Sequence, residues 1–320
     1  MSMIVMDEAK KGYLMCFGGV FTWSFSEIIV KLLQGSVGPV SLSFLRFFFG
    51  GLFLLLLMSF QKDLSQMFLL VRRYPKLVVI SSVVGLGFSN IVYFYGIQLT
   101  QANVGSALYT TYPIFISIYS IFLLNERSNL KGKFIGYILG FIGTAILITN
   151  FNFRLFIQPE NIAGNLLLVL AAALWAFYSV LGKKIFRKEA QLRDVNEKYI
   201  SNIEIKFTAV SFFVSSIPSS IILYFTDEIP TFLRYAPQEW SLVLFLAFIS
   251  TAFGLFIFFV GIRKIEVSKG MSLALLKPIM VSILAYFIIG ETVSVALMIS
   301  LGLVIFAVVL INRKSSKKVL

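Results

Sequence analysis

Four charged residues lie where so apolar a chain should carry none. Glu27, Lys31, Arg46 and Lys277 fall inside long hydrophobic runs. A charge within a bilayer costs from about 2.5 kcal/mol upward, so such residues face protein or a water-filled cavity. Glu27 is 15 residues into its run, ~22 Å at about 1.5 Å per residue, and Lys31 follows in the favourable Glu-to-Lys i, i+4 order. Either the two neutralise each other near one rim, with Lys31 reaching for the headgroups, or Glu27 binds a proton or a cationic solute, because desolvation makes a carboxylate a good proton acceptor. Arg46 either ties helix ends together through carbonyls or Glu27, or grips a substrate carboxylate with its planar fork. Lys277 directly precedes Pro278, and a proline inside a helix removes a backbone hydrogen bond and exposes a carbonyl. Lys277 is then neutral, paired with an acid such as Glu27, or charged and facing an anionic solute.

Polar and aromatic residues extend the set. Trp23 and Trp175 each lie 11 residues into a run, at mid-bilayer rather than in the interfacial belt usual for tryptophan. An indole N–H at that depth needs an acceptor, which favours a cavity wall; packing against lipid is the alternative. Asn90 and Tyr93 share a helix face, as do Trp175 and Ser179. The substrate-binding candidates are thus Trp23, Glu27, Asn90, Tyr93, Tyr109, Tyr112, Trp175, Ser179 and Lys277. Glu27, Lys31 and Arg46 are the coupling or structural charges, and Pro113 and Pro278 the helix breaks.

Other chemistries are excluded. The chain has no histidine and one cysteine, Cys16, which removes imidazole metal sites, a Ser-His-Asp triad and any disulfide framework. No catalytic residue, metal or cofactor is expected. There is no glycine-rich phosphate loop, so ATP-driven transport by this chain alone is unsupported. The net charge of +13 is dispersed over short segments with no continuous basic face, and nucleic acid is not an expected partner.

These residues must be held by membrane helices. Of 320 residues, 58% are hydrophobic and 13% charged, against about 25% charged in soluble domains. Ten segments are long enough to span a bilayer, at about 20 residues each: 12–33, 39–60, 77–99, 103–124, 132–150, 164–182, 203–225, 240–262, 268–289 and 293–311. Runs of that length satisfy their backbone as helices rather than as barrel strands, so the fold class is an all-α membrane protein. No cleavable-looking signal peptide precedes the first run. Of the 28 Lys and Arg residues, 23 fall on one set of alternate ends, against Lys31, Arg154 and Arg234 on the other. The positive-inside rule then places both termini in the cytoplasm, in a multi-pass protein of the plasma membrane.

The chain also repeats itself. A step of 165 carries Gly96, Gly105, Pro113 and Glu126 onto Gly261, Gly270, Pro278 and Glu291, and a step of 152 carries Gly12, Trp23 and Lys31 onto Gly164, Trp175 and Lys183. Two repeats of five helices, an odd number, must be inverted relative to each other. The expected units are 1–155 and 156–320. The change of step implies about 13 extra residues, which the charged stretch Lys183 to Lys198 supplies as a solvated loop. Glu126 and Glu291 read as solvated caps or, for the first, as a partner of Arg127, Lys131 or Lys133.

Taken together, WSFSEIIVK (23–31), PVSLSFLRF (39–47), the Pro113–Glu126 segment, ALWAFYSVLGKK (173–184) and the Pro278–Glu291 segment resemble the ten-helix EamA type of the drug/metabolite transporter superfamily. The resemblance implies two inverted five-helix repeats about a central cavity and movement of small organic solutes, most often export. Such proteins usually carry an apolar or aromatic residue near position 27, so Glu27, like Lys277, is a departure from the pattern. The leading expectation is a secondary transporter for an amino acid, organic acid or similar metabolite, with an anionic or zwitterionic solute favoured by the net basic set of embedded charges. Its partners would be the solute, the lipid bilayer and protons, the chain acting as monomer or homodimer. A lipid or lipid-linked-group flippase, a cationic drug exporter and, more remotely, a membrane enzyme are the alternatives.

Overall fold

The computed structural model describes residues 7–33, 35–60, 64–100, 108–157, 159–195, 199–226, 229–289 and 295–313. Among them there is no strand. The helices are α1 (Glu8–Leu32), α2 (Pro39–Phe60), the short α3 (Ser65–Arg73), α4 (residues 75–98), α5 (Tyr112–Leu124), α6 (Leu130–Thr149), α7 (Ile162–Asp194), α8 (Ile203–Phe225), α9 (residues 237–264), α10 (residues 267–289) and α11 (Val295–Asn312). Among the described residues nine are long and apolar enough to cross a membrane, and α5 is a shorter apolar helix. With α3 set aside as a connector, the ten expected segments are all represented.

The repeats interlock rather than sit side by side. α1 packs on α9, α4 on α7, α2 on α8 and α6 on α11, so each of these pairs joins one repeat to the other. In lipid there is no hydrophobic drive between helices, and close packing of small residues takes its place. A β-carbon on Gly261 would come within 2.8 Å of the Gly12 carbonyl, where α1 crosses α9. A β-carbon on Gly164 would come equally close, 2.8 Å, to the Gly96 carbonyl, where α7 crosses α4. The steps of 152 and 165 superimpose these two crossings, but inversion puts them at opposite ends of the bundle. Large apolar side chains such as Phe68, Phe122, Phe134 and Phe287 face outward, as lipid contact requires.

Two backbone irregularities recur at the same step of 165. α4 and α9 each widen to π-helical hydrogen bonding, over Ser81–Phe88 and Leu246–Phe253. Such widening commonly marks functional sites. Each proline is preceded by a tight turn: the Thr111 N–H donates to Leu108 O before Pro113, and Leu273–Leu276 is a 3-10 turn before Pro278. The Lys277 N–H donates to Ala274 O, which satisfies the carbonyl that Pro278, lacking an N–H, would otherwise leave without a helical donor.

The stretch from Lys183 onward departs from expectation. It is not a loop, because α7 continues to Asp194. Its residues, KKIFRKEAQLRD, contain no Gly or Pro and are mostly strong helix formers. Lys183 and Glu189 are buried against neighbouring segments rather than solvated. The extra residues of the second repeat thus lengthen a helix. The helix expected over 103–124 is described only from its turn at Leu108, since 101–107 lie outside the described residues.

Candidate functional site

Trp23 and Trp175, equivalent residues of the two repeats, touch each other edge to face with ring centroids 5.7 Å apart. Equivalent residues that meet must lie on the axis relating the repeats, so this contact marks the centre of the bundle. From it an aromatic row extends both ways. Tyr112 lies 5.0 Å from Trp175, Tyr109 5.7 Å from Tyr112, and Tyr93 4.6 Å from Tyr109. On the other side Phe258 lies 4.8 Å from Trp23. Five of the nine substrate-binding candidates are therefore joined in one row. The two indoles, Tyr93 and Tyr109 are only partly buried, while Tyr112 is buried.

Arg46 of α2 borders this row through α4. Its Nη2 donates to Asn90 Oδ1 at 3.1 Å, and its Cζ lies 4.7 Å from the Phe47 ring centroid. The Asn90 Nδ2 donates to the Leu86 carbonyl at 2.8 Å, which turns the amide oxygen toward the guanidinium. Asn90 and Tyr93 are three residues apart on α4, so the polar pair and the ring row lie on one face. Ser179, one turn after Trp175 on α7, is fully buried and its hydroxyl donates to the Trp175 carbonyl. Lys277 is partly buried at the start of the second α segment of α10, next to Pro278. α10 packs on α1, where the Ser24 hydroxyl meets Met280 Sδ at 3.6 Å. The side chains of Glu27 and Lys31, with the pair expected between them, lie outside the described residues, as does Glu291.

Sequence reasoning missed a second set of residues. At the end of the bundle where α1 begins and α11 ends, four consecutive residues, the α9–α10 linker Ile265 and Glu266 and the first two residues of α10, Val267 and Ser268, are each held by side chains from elsewhere in the chain. Ile265 O accepts from Lys183 Nζ at 2.9 Å, and that ammonium also donates to the Ile262 and Arg263 carbonyls. The Glu266 carboxylate accepts from Lys133 Nζ at 3.1 Å and from the Ser128 hydroxyl at 2.5 Å. The Val267 N–H donates to Glu126 Oε2 at 3.1 Å, and Ser268 O accepts from the Tyr137 hydroxyl at 2.9 Å. Further pairs across the repeats surround this clasp: Arg187 with Glu126, Arg73 and Tyr74 with Glu189, and Lys264 with Glu8.

Glu126 is therefore neither a solvated cap nor a partner of its sequence neighbours. It is 4% exposed, and its ion-pair partner is Arg187 of α7, at 2.5 Å. Burial pushes its carboxyl above the ordinary carboxylate range, against the pull of Arg187 and Lys183. For Glu266 burial acts the same way but loses to Ser128 and Lys133, which hold that carboxyl below the ordinary range. No contact in the clasp is foreshadowed locally, because the linker and its first-repeat partners are more than 130 residues apart in sequence.

The comparisons with known proteins bear on the family and the fold. The uncharacterized transporter YoaV of Bacillus subtilis (strain 168) is 25% identical over 273 residues, covering 85% of this chain and 87% of that protein. An uncharacterized transporter of Clostridium kluyveri is 23% identical over 313 residues, covering 97% and 95%. A solved crystal structure with 20% identity shares the fold, with a TM-score of 0.77 over 95% of this chain and 96% of that one. The family model matches the chain twice, over residues 10–149 and 162–313, and the chain belongs to the EamA-like transporter family, a multi-pass membrane transporter.

Proposed function

We propose that the protein exports a small anionic or zwitterionic organic solute by alternating access, binding it at the centre of the bundle. The observation that carries this reading is the contact of Trp23 with Trp175 on the axis between the repeats. Carriers built of inverted repeats place their sites at that midplane interface. Aromatic faces there suit the apolar body of a metabolite. Arg46, which lies beside Asn90 and Phe47 next to the row, and Lys277 favour a carboxylate or phosphate over a cation. Protons are the candidate coupling ion, through Glu27. The chain sits in the plasma membrane with both termini cytoplasmic, as units 1–155 and 156–320.

The test is a thermal-shift assay on purified protein with amino acids, organic acids, phosphorylated metabolites, nucleosides, cationic dyes and lipids. A ligand at 100 times its Kd stabilises by about 2.7 kcal/mol. Anionic or zwitterionic compounds are expected to raise the melting temperature of the native protein and to lose that effect in Lys277→Ala. Stabilisation by cationic or lipophilic compounds alone, unchanged in Lys277→Ala, overturns the reading in favour of a drug exporter or lipid carrier.

A further inference from the structure

We propose that the clasp on residues 265–268 is the gate that holds the basic end shut, and that it opens as a unit. This rests on the alternating-access reading and names the residues that do the closing. Four of the five clasping side chains, Glu126, Ser128, Lys133 and Tyr137, come from the first repeat, whereas the clasped linker belongs to the second. The clasp therefore joins parts that must separate for that end to open. The linker leads directly into α10, which carries Lys277 and the tight turn before Pro278. Displacing the linker thus moves a helix that borders the central site.

The two ends of the bundle close differently. At the basic end the repeats meet through charged groups and hydrogen bonds. At the opposite end Leu33, Leu42, Leu45, Tyr235, Val243 and Leu246 form an apolar cluster, and the Thr100 hydroxyl donates to Asn165 Oδ1 at 2.7 Å across the repeats. A contact made largely of buried polar groups favours one closed geometry, and its buried members, among them Glu126, Lys133 and Tyr137, regain water once the seal is broken. Loss of one member admits water to the next, so release is cooperative.

The chain carries its own reporter. Cys16, its single cysteine, is fully buried, with Sγ 3.9 Å from Phe258 O. A β-carbon on Gly270, two residues beyond the clasp, would lie 2.9 Å from that sulfur. Withdrawal of the linker uncovers the thiol. The experiment is alkylation by N-ethylmaleimide in proteoliposomes, with each rate divided by that of the unfolded protein. Glu266→Gln and Tyr137→Phe are each expected to speed labelling about threefold and together about tenfold. Thr100→Ala, which cuts the hydrogen bond at the other end, should leave it unchanged. Wild-type labelling in a double variant that melts normally overturns the proposal, and so does an equal rise in Thr100→Ala, which would mean general loosening. Should the double variant not fold, Lys133→Met must speed labelling and Lys133→Arg must not; any other result counts against the gate. Labelling needs no solute, so a working gate with no anionic or zwitterionic ligand in the thermal-shift panel would sink the proposed substrate class and leave the gate standing.

Discussion

The two repeats are alike where they cross and different where they line the centre. The glycine crossings, the widened turns of α4 and α9, the tight turns before Pro113 and Pro278 and the central indole pair all recur. The lining does not. Asn90, Tyr93, Tyr109 and Tyr112 of the first repeat correspond, 165 residues on, to Leu255, Phe258, Ala274 and Lys277. An inverted pair can rock between two equivalent states only if its crossings are equivalent. A solute with a polar and an apolar part is best met by walls that differ. On the proposed alternating-access reading, duplication supplies the motion, and divergence supplies the selectivity.

The largest effect is expected from breaking the shared part. In Gly261→Val the new side chain must displace Cys16 Sγ, 2.6 Å away, and the Gly12 backbone. In Gly164→Val it must displace the Leu99 carbonyl, also at 2.6 Å. Overpacking of this kind costs about 1–3 kcal/mol or more. Both variants should melt lower by similar amounts or fail to fold. A difference of more than about 1 kcal/mol between them would show that the crossings are not equivalent.

A smaller effect should follow from making the linings more alike. Asn90→Leu gives the first repeat the residue of the second and removes one acceptor of Arg46. Anion binding, read as the ligand-induced thermal shift, should weaken about tenfold, or about 1.4 kcal/mol, while Asn90→Gln retains part of it. An unchanged shift in Asn90→Leu would place recognition elsewhere and remove the polar wall from the comparison.

How much of this was legible in the sequence depends on how far apart the interacting residues lie. The repeat, the ten segments and the central tryptophans follow from spacing alone, because one offset and one depth in a run define them. The row of Tyr93, Tyr109, Tyr112 and Trp175 was legible as members but not as a row. The charged end of α7 was misread because charge suggested solvent, whereas Lys183 caps the carbonyls at the end of α9 and Glu189 accepts from Arg73, Tyr74 and the Ile200 N–H. Glu126 was misassigned for a related reason: three basic residues follow it closely in sequence, yet its ion pair is with Arg187, 61 residues away.

The smallest expected effect separates the two carboxylates of the gate by pH. Glu126 has its pKa raised by burial in the closed state, so closing takes up a proton there. As pH falls through that raised range, still above the ordinary carboxylate value, the closed gate gains stability and Cys16 labelling should slow slightly. Glu266 has the opposite sign: its pKa is lowered in the closed state, so its contribution is complete above the ordinary value near 4.5 and is lost only as pH falls through the lower one. Labelling, corrected for the unfolded rate, should therefore pass through a shallow minimum and rise again in acid. Glu126→Ala should abolish the slowing limb and Glu266→Gln the rising one. A monotonic profile in the native protein would mean that one carboxylate alone governs the clasp, and the variant that flattens it would identify which.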